Sequence, residues 1–562
     1  MKTTGAALIL TLLERQGIDT VTGIPGGAIL PLYDALAASP IRHVLARHEQ
    51  GAGFIAQGMA RATGRPAVCF GTSGPGATNL LTAIADAKLD SIPLVAITAQ
   101  VPRAMIGSDA FQEIDTYGLT IPITKHNWLV RSAAELLDVI PEAFRVAASG
   151  RPGPVVVDVP KDVLNEVIEV RGLPHPGCAD APPAVDREAV RRAAELLDGA
   201  RRPVLLIGAG VIAAGASPLV RRLAERASIP VAATLLGLGA MPEGHPLALG
   251  MVGMHAAPYV NLLLEECDLL LAVGMRFDDR ATGKASEFCP NARIVHIDID
   301  ASEIGKIRTP AVAIRADAAR ALEALLPQVQ AKRRARWRAR VDALRAAAPL
   351  AMPGADDVTT PYGIVRAVAE IAGDEAIVTT DVGQHQMWVA QAYPFRRPRQ
   401  CLTSGGLGTM GFGLPAAIGA ALAAPDRPVL CFTGDGSLLM NLQELATLAE
   451  ERVNVKILLL NNGHLGLVRQ QQQLFYGGRY QASRFVAEPD FPALARAFGI
   501  EGVHLGDVSD PRGMLAKALA APGPCLVDVP IAREQNVYPM VPPGAANRDM
   551  MIGGEAHADA AA

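Results

Sequence analysis

Two apolar runs in the last third of the chain end in residues that can hold a cation. VLCFT leads into Gly434-Asp435-Gly436-Ser437, and after the helical pattern NLQELATLAEE the run VKILLL leads into Asn461-Asn462. Strand, helix and strand in that order make a βαβ unit, and if the strands are neighbours the side-chain oxygens of Asp435 and Asn462 converge at one sheet edge. Hard oxygen ligands of low total charge suit Mg²⁺, which completes its shell with phosphate oxygens and water. The carbonyl of His464 offers a third ligand. The glycines let a diphosphate approach the backbone, and the amides of Gly436 and Ser437 open a helix whose N-terminus favours anions. The string GDGS alone is shared with ordinary turns; the helix and the paired asparagines set this one apart.

A second chemical residue lies far upstream. Glu49, in Arg47-His48-Glu49-Gln50, follows the run IRHVLA and precedes the small-residue helical pattern GAGFIAQGMARATG. A carboxyl group at a strand end against an apolar helix is costly to ionise, because desolvation raises its pKa, and such a group is a candidate proton shuttle. A surface glutamate in a loop is the bland alternative.

The elements that must position these residues are short β-branched runs alternating with longer Ala/Leu-rich helical patterns. PAVCFG, IPLVAITAQ, RPVLLIG, CDLLLAVG, ARIVHIDID, EAIVTTD, RPVLCFTG and VKILLLNN read as strands buried on both faces. That pattern predicts an α/β protein of doubly wound parallel sheets, with ligands beyond the carboxyl ends of the strands. At 562 residues the chain is too long for one core. Linker-like stretches at about 165–185 and 328–360, the second a basic helix followed by APLAMPGADD, divide it into thirds. The boundaries read as 1–165, 186–330 and 358–535, with a tail over 536–562. RPGPVVVDVPKD at 151–162 is echoed by APGPCLVDVPIA at 521–532, which predicts a shared topology for the first and third domains, each closed by an edge-like strand.

Half the residues are apolar and 19% are charged, so a packed interior is available throughout. A net charge of −4 provides no field for nucleic acid or anionic lipid, although Lys332 to Arg345 is locally basic. Seven scattered cysteines without a CxxC pair read as reduced thiols of a cytoplasmic protein. No apolar run reaches a membrane span, and the N-terminus (Ala6, Leu8, Ile9, Leu12, Leu13) has helical periodicity in place of a signal-peptide block.

Over almost its whole length the sequence resembles the thiamine-diphosphate enzyme superfamily, and within it the acetohydroxyacid synthase catalytic subunits. The resemblance rests on PGGAILPLYDAL (25–36), ARHEQGAGFIAQGMARATG (46–64), GTSGPGATNLLTAIADAKLDSIPL (71–94), GSDAFQEID (107–115), MRFDDRATGK (275–284), HIDIDASEIGK (296–306), DVGQHQMW (381–388), SGGLGTMGFGLPAA (404–417) and the GDGS…NN unit. LGLVRQQQQLFY and VYPMVPPGAAN look most like the isozyme I branch.

The resemblance implies three domains: an N-terminal pyrimidine-binding, a central FAD-binding and a C-terminal diphosphate and Mg²⁺ binding domain. It also implies the reaction, in which pyruvate loses CO₂ on thiamine diphosphate and its two-carbon unit joins a second 2-oxo acid. With pyruvate or 2-oxobutyrate as acceptor, the product is 2-acetolactate or 2-aceto-2-hydroxybutyrate, the first common step of branched-chain amino acid synthesis. Glu49 would bond the aminopyrimidine of the cofactor. Gln384, His385, Gly408, Thr409, Met410 and Leu467 would contact the cofactor, with Met410 the wedge that bends it. Arg151, Gly208, Gly210, Met254, His255, Gly274, Arg276, Asp278, Asp298, Ile299 and Asp317 would line the FAD site. From the residues alone, GAG after RPVLLI supports only some nucleotide, and RFDDR fits a solvated loop. Gln112 and Lys161 match residues near substrate entry, and Arg280 matches the arginine that holds the acceptor carboxylate, a task its planar fork suits. Many family members carry Trp where this chain has Gln471, so weaker preference for 2-oxobutyrate is expected here. The two cofactor halves are usually joined across a subunit interface, which implies a homodimer or homotetramer, and a small regulatory subunit is plausible. A pyruvate oxidase or decarboxylase of the same superfamily, and a scaffold that lost its chemistry, are the rival readings.

Overall fold

The computed structural model describes residues 2–553, so residues 554–562 of the expected tail lie outside the described residues. Its frame is three six-stranded sheets, every strand pairing parallel. The first holds β1 (Thr20–Gly23), β2 (Arg42–Leu45), β3 (Ala67–Gly71), β4 (Leu94–Gln100), β5 (His126–Leu129) and β6 (Val155–Pro160). The second holds β7 (Pro203–Ile207), β8 (Val231–Ala233), β9 (Ala248–Met251), β10 (Leu269–Val273), β11 (Arg293–Asp298) and β12 (Val312–Arg315). The third holds β13 (Ile377–Thr380), β14 (Cys401–Thr403), β15 (Val429–Gly434), β16 (Val455–Asn461), β17 (Glu501–His504) and β18 (Cys525–Pro530). Central strands such as β4 and β7 are buried along their whole length, as near-continuous apolar runs require.

The first sheet runs β2-β1-β3-β4-β6-β5 and the third β14-β13-β15-β16-β18-β17, the same order within each domain. The second runs β9-β8-β7-β10-β11-β12, a different winding that reverses direction between β7 and β10. The internal echo therefore reflects shared topology. The echoed strands are not at an edge, however: β6 lies between β4 and β5, and β18 between β16 and β17. VVVDVP is buried at all six positions, which an edge strand would not be.

Seven helices matter for the site: α1 (Gly5–Arg15), α2 (Glu49–Thr63), α3 (Pro75–Asp90), α4 (Ala335–Ala347), α5 (Gln384–Ala392), α6 (Gly413–Ala423) and α7 (Gly466–Phe475). The periodic apolar face of α1 is buried in the core of the first sheet. The basic helix α4 is part of the middle domain: Trp337, Val341 and Leu344 are buried there, and the Trp337 indole donates to the Pro203 carbonyl at 3.0 Å. Among the described residues no helix is long and apolar enough to cross a membrane.

The first and third domains meet where α2 crosses α6. A Cβ added to Gly58 would lie 2.1 Å from the Ala416 carbonyl oxygen, and one added to Gly419 would lie 1.9 Å from that of Ile55. Only glycine permits this backbone approach. Beside it Phe54 and Phe412 stack edge-on at 5.3 Å, and the buried Arg61 guanidinium lies 4.9 Å from the Phe412 ring centre. Gly419→Val should therefore lower stability by about 1–3 kcal/mol or more, read as the urea midpoint. Gly199→Ala, at an exposed helix end where the new methyl meets nothing within 4 Å, should stay within about 0.5 kcal/mol of the parent.

Candidate active site

β15 and β16 are neighbours in parallel register, with Gly434 opposite Leu460, so Asp435 and Asn462 leave the same sheet edge side by side. The His464 N–H donates to Asp435 Oδ2 and to Asn462 Oδ1, both at 3.1 Å, which places the two oxygens around one point. Burial pushes the Asp435 carboxyl up to about 6 against the backbone N–H groups of Gly436, Gly463 and His464. A cation beside it would oppose that rise. GDGS opens only a four-residue turn of helix, Asp435–Leu438, and the next helix begins at Glu444. The long helix expected after GDGS is thus two pieces, broken where Asn441 turns to donate to the Gly411 carbonyl at 2.6 Å.

Around this point lies a cleft whose lining residues, among those described, all fall between Val382 and Val468. Gln384, His385, Met410, Asp435, Gly436, Ser437, Asn462, His464 and Leu467, all singled out from the sequence, line it together. Val382, Trp388 and Leu465 line it as well and were not anticipated. His385 Nε2 and Trp388 Nε1 are buried without a hydrogen-bond partner. Burial holds the His385 imidazole neutral, its pKa pushed down to about 3. The segment that carries Met410 is suspended from carboxylates. Asp90 accepts from the N–H groups of Gly405 (2.9 Å) and Gly406 (2.7 Å), and Asp86 accepts from the hydroxyls of Ser404 and Thr409, the latter at 3.2 Å. Asp381 accepts from the N–H groups of Gly411 (2.8 Å) and Gly413 (3.1 Å). Gly408, expected to touch the cofactor, adopts φ +67° in this segment.

Glu49 is the first residue of α2 and is largely buried, with Asn79 Nδ2 donating to its Oε2 at 2.9 Å. Asn79 went unnoticed in the sequence; its place on α3, after GPGAT, was the available signal. Gln112 sits in a left-handed conformation (φ +62°) against Gly74, where an added Cβ would come within 2.9 Å of its Cα. Its loop is held by Gln100, whose amide donates to the Ile114 carbonyl (2.7 Å) and to the buried Asp158 (3.2 Å). Lys161 follows β6 directly. Glu49, Gln112 and Lys161 thus gather at the carboxyl edge of the first sheet, and none of them lines the cleft in the third domain.

In the middle domain Gly208 follows β7 and Gly274 follows β10, the two strands between which the winding reverses. Ligands of open α/β sheets bind at such a crevice. A Cβ on Gly210 would lie 2.7 Å from Gly274 Cα, so these glycines bring two loops into contact. Asp298 ends β11, and burial pushes its carboxyl up to about 6; Ile299 follows it. Met254 N–H donates to the Arg280 carbonyl (2.9 Å), and His255 Nδ1 bonds to the Pro539 carbonyl (2.8 Å). Arg276 extends to Gly406, its Nη2 3.2 Å from where a Cβ would stand. Other expected residues carry local structural roles. Asp278 and Asp317 cap the helices that follow them, and Arg151 pairs with Glu303 (2.8 Å) and Asp300 (3.2 Å). The Arg280 side chain is two-thirds exposed, 3.6 Å from its neighbour Asp279 and with Nη1 3.8 Å from the Met254 sulfur, and Gln471 faces outward from α7.

Models of the thiamine pyrophosphate enzyme N-terminal TPP binding domain, central domain and C-terminal TPP binding domain match residues 3–119, 190–325 and 381–529. The acetolactate synthase isozyme 1 large subunit of Escherichia coli (strain K12) is 58% identical, over 98% of this chain and 97% of that protein. The acetolactate synthase large subunit of Parasynechococcus marenigrum is 50% identical, over 97% and 90%. The chain belongs to the acetolactate synthase large subunits. Chloroplastic acetolactate synthase 2 of Nicotiana tabacum, 45% identical over 98% of this chain and 85% of that protein, extends the likeness to plants.

In this acetolactate synthase large subunit the loop around Gln112 is anchored through an acid under strain. Asp158 is wholly buried, and burial pushes its carboxyl up to about 7 against hydrogen bonds from Thr98 and Gln100. A folded-state pKa above the unfolded one means stability is fullest below pH 4 and is lost as pH rises toward 7. Asp158→Asn, which cannot ionise, should therefore gain stability relative to the parent between pH 4.5 and 7.5. Urea midpoints at the two pH values measure this; a pH-independent difference would contradict it.

Proposed function

We propose that the chain condenses two 2-oxo acids, with thiamine diphosphate held by Mg²⁺ at Asp435, Asn462 and the His464 carbonyl, and with FAD in the middle domain. The observation that carries the metal assignment is the convergence of Asp435 Oδ2 and Asn462 Oδ1 on the His464 N–H, beside a buried and unpartnered His385 Nε2. Two carboxamide or carboxylate oxygens plus a carbonyl leave room for phosphate oxygens and water, which is what Mg²⁺ requires. When bound, thiamine diphosphate supplies the nucleophilic carbon and stores the electron pair that CO₂ leaves behind. Glu49, with Oε2 restrained by Asn79, exchanges a proton with the aminopyrimidine. Met410 provides the apolar wedge on its suspended segment. Gln112 and Lys161 stand toward the substrate entry. Arg280, exposed and weakly paired, binds the acceptor carboxylate. Gly208, Gly210, Gly274 and Asp298, at the crevice where the middle sheet reverses, support a dinucleotide there.

Glu49 does not line its own chain's cleft, so a complete site takes a second copy, in a homodimer or homotetramer. Exposed Met105, Ile106, Phe111, Tyr117 and Ile121 in the first domain, and Met440, Val468, Tyr476 and Tyr480 around the cleft, supply apolar surface for that contact. The relatives' designation as large subunits supports a small regulatory partner. Seven free cysteines, five of them buried, fit a reducing cytoplasm.

Purified protein given pyruvate, thiamine diphosphate and Mg²⁺ should form acetolactate, and omission of either cofactor should abolish it. Acetaldehyde, acetate or acetyl phosphate as the product would overturn the assignment of Arg280. With pyruvate and 2-oxobutyrate in competition, Gln471 provides no indole wall, and the ~1–3 kcal/mol that a fitted pocket draws from one methylene should be largely missing. A strong 2-oxobutyrate preference would refute that role for Gln471.

A further inference from the structure

Gln470 is wholly buried on α7, next to the exposed Gln471. Its Nε2 donates to the Val537 carbonyl and its Oε1 accepts the Val537 N–H, both at 2.8 Å, a reciprocal pair like one rung of a sheet. The same Oε1 accepts Gln384 Nε2 at 3.0 Å. Gln384 also donates to the Gln535 carbonyl (2.9 Å), and its Oε1 accepts Asn462 Nδ2 (3.1 Å). A chain of carboxamides therefore runs from Asn462 through Gln384 and Gln470 to the backbone at 537. Each link has a fixed donor and acceptor end, so a change of orientation at one is felt at the next.

Beyond Val537 the chain is a strap onto the middle domain. Gln391 donates to the Tyr538 carbonyl (3.0 Å), the Pro539 carbonyl bonds to His255 Nδ1 (2.8 Å), and the Val541 N–H donates to the Met254 carbonyl (3.0 Å). The strap ends against the loop of Arg280: Lys284 N–H donates to the Ala545 carbonyl (2.9 Å), and Asn547 Nδ2 donates to the Ala281 carbonyl (3.0 Å). We infer that Gln470 is a positioning residue for the acceptor site, setting the register of the 535–547 strap and so coupling occupation of the diphosphate cleft to the placement of Arg280. The inference rests on the roles proposed above for the cleft and for Arg280.

The test uses the full chain with two substitutions. Gln470→Met keeps length and apolar volume but no partner; Gln470→Glu keeps the oxygen that accepts from Val537 and loses the donor. Hydrogen–deuterium exchange of peptides spanning 535–547 is followed with and without thiamine diphosphate plus Mg²⁺, beside kcat and KM for the acceptor. In the parent, the cofactors should slow exchange of the strap by about tenfold, the scale of one or two hydrogen bonds. In both variants exchange should be fast and insensitive to the cofactors, with acceptor KM raised about tenfold and kcat within about threefold. A strap equally protected in the parent and Gln470→Met, or a fall in kcat at constant KM, would overturn the inference. If the parent makes no acetolactate yet the exchange coupling is present, the strap coupling stands and the proposed reaction alone fails.

Discussion

One guanidinium sealed between two carboxylates sets how the first third of the chain meets the last. Arg61 donates to Asp86 (3.1 Å), Asp90 (2.8 Å) and the Thr403 carbonyl (2.9 Å), and all three charged side chains are buried. Burial and the neighbouring Asp90 push the Asp86 carboxyl up to about 6 against the pull of Arg61 and the hydroxyls of Ser404 and Thr409. Removing one member of such a cluster strands charge in a medium that cannot solvate it, at a cost of about 3–5 kcal/mol. Each of the four carboxylate oxygens has a donor, because the pair also carries Gly405, Gly406 and the two hydroxyls. The segment bearing Met410 is thus fixed from the first domain, from Asp381 in its own, and by contact with Arg276 of the middle one.

That rigidity has a consequence for catalysis. The first and third sheets have the same winding, and each presents at its carboxyl edge half of the site proposed above for the cofactor: Glu49 with Asn79 on one, Asp435 with Asn462 on the other. The glycine-mediated crossing of α2 and α6 and the Arg61 cluster hold these edges in a set relation. Within one chain, the described residues that line the cleft all fall within 382–468. If the proposed half-sites belong to one cofactor, each needs the complementary half of a second copy, which closed two-fold symmetry would provide.

Much of this was legible in the residues. The eight apolar runs read as strands are strands, because burial on both faces leaves an unbroken apolar string. The spacing from Asp435 to Asn462 encoded a βαβ unit, and the VDVP echo encoded a repeated winding. What escaped depends on contacts between distant segments. Asp86 and Asp90 share a helical face, but nothing local tells that Arg61 and the 404–406 amides will cover them. VVVDVP looked like a closing edge because it ends its domain in sequence, whereas a later strand in the chain order is not always the outer one in space. Asp278 and Asp317 matched a nucleotide-site pattern and also serve as helix caps, a role that any aspartate before a helix can take. The carboxamide chain through Gln470 could not be seen at all, since one glutamine in a run of four looks like its neighbours.

The claim on which the rest hangs is that a working site takes Glu49 from one copy and Asp435 from another, and mixed assemblies test it most directly. Chains carrying Glu49→Gln and chains carrying Asp435→Ala, each inactive alone, are denatured together, refolded in equal amounts and assayed for acetolactate. Shared sites predict recovery of about a quarter of parental activity, from the one intact site in each mixed pair. A mixture that forms mixed assemblies yet stays as inactive as its components would show that both residues serve the same chain.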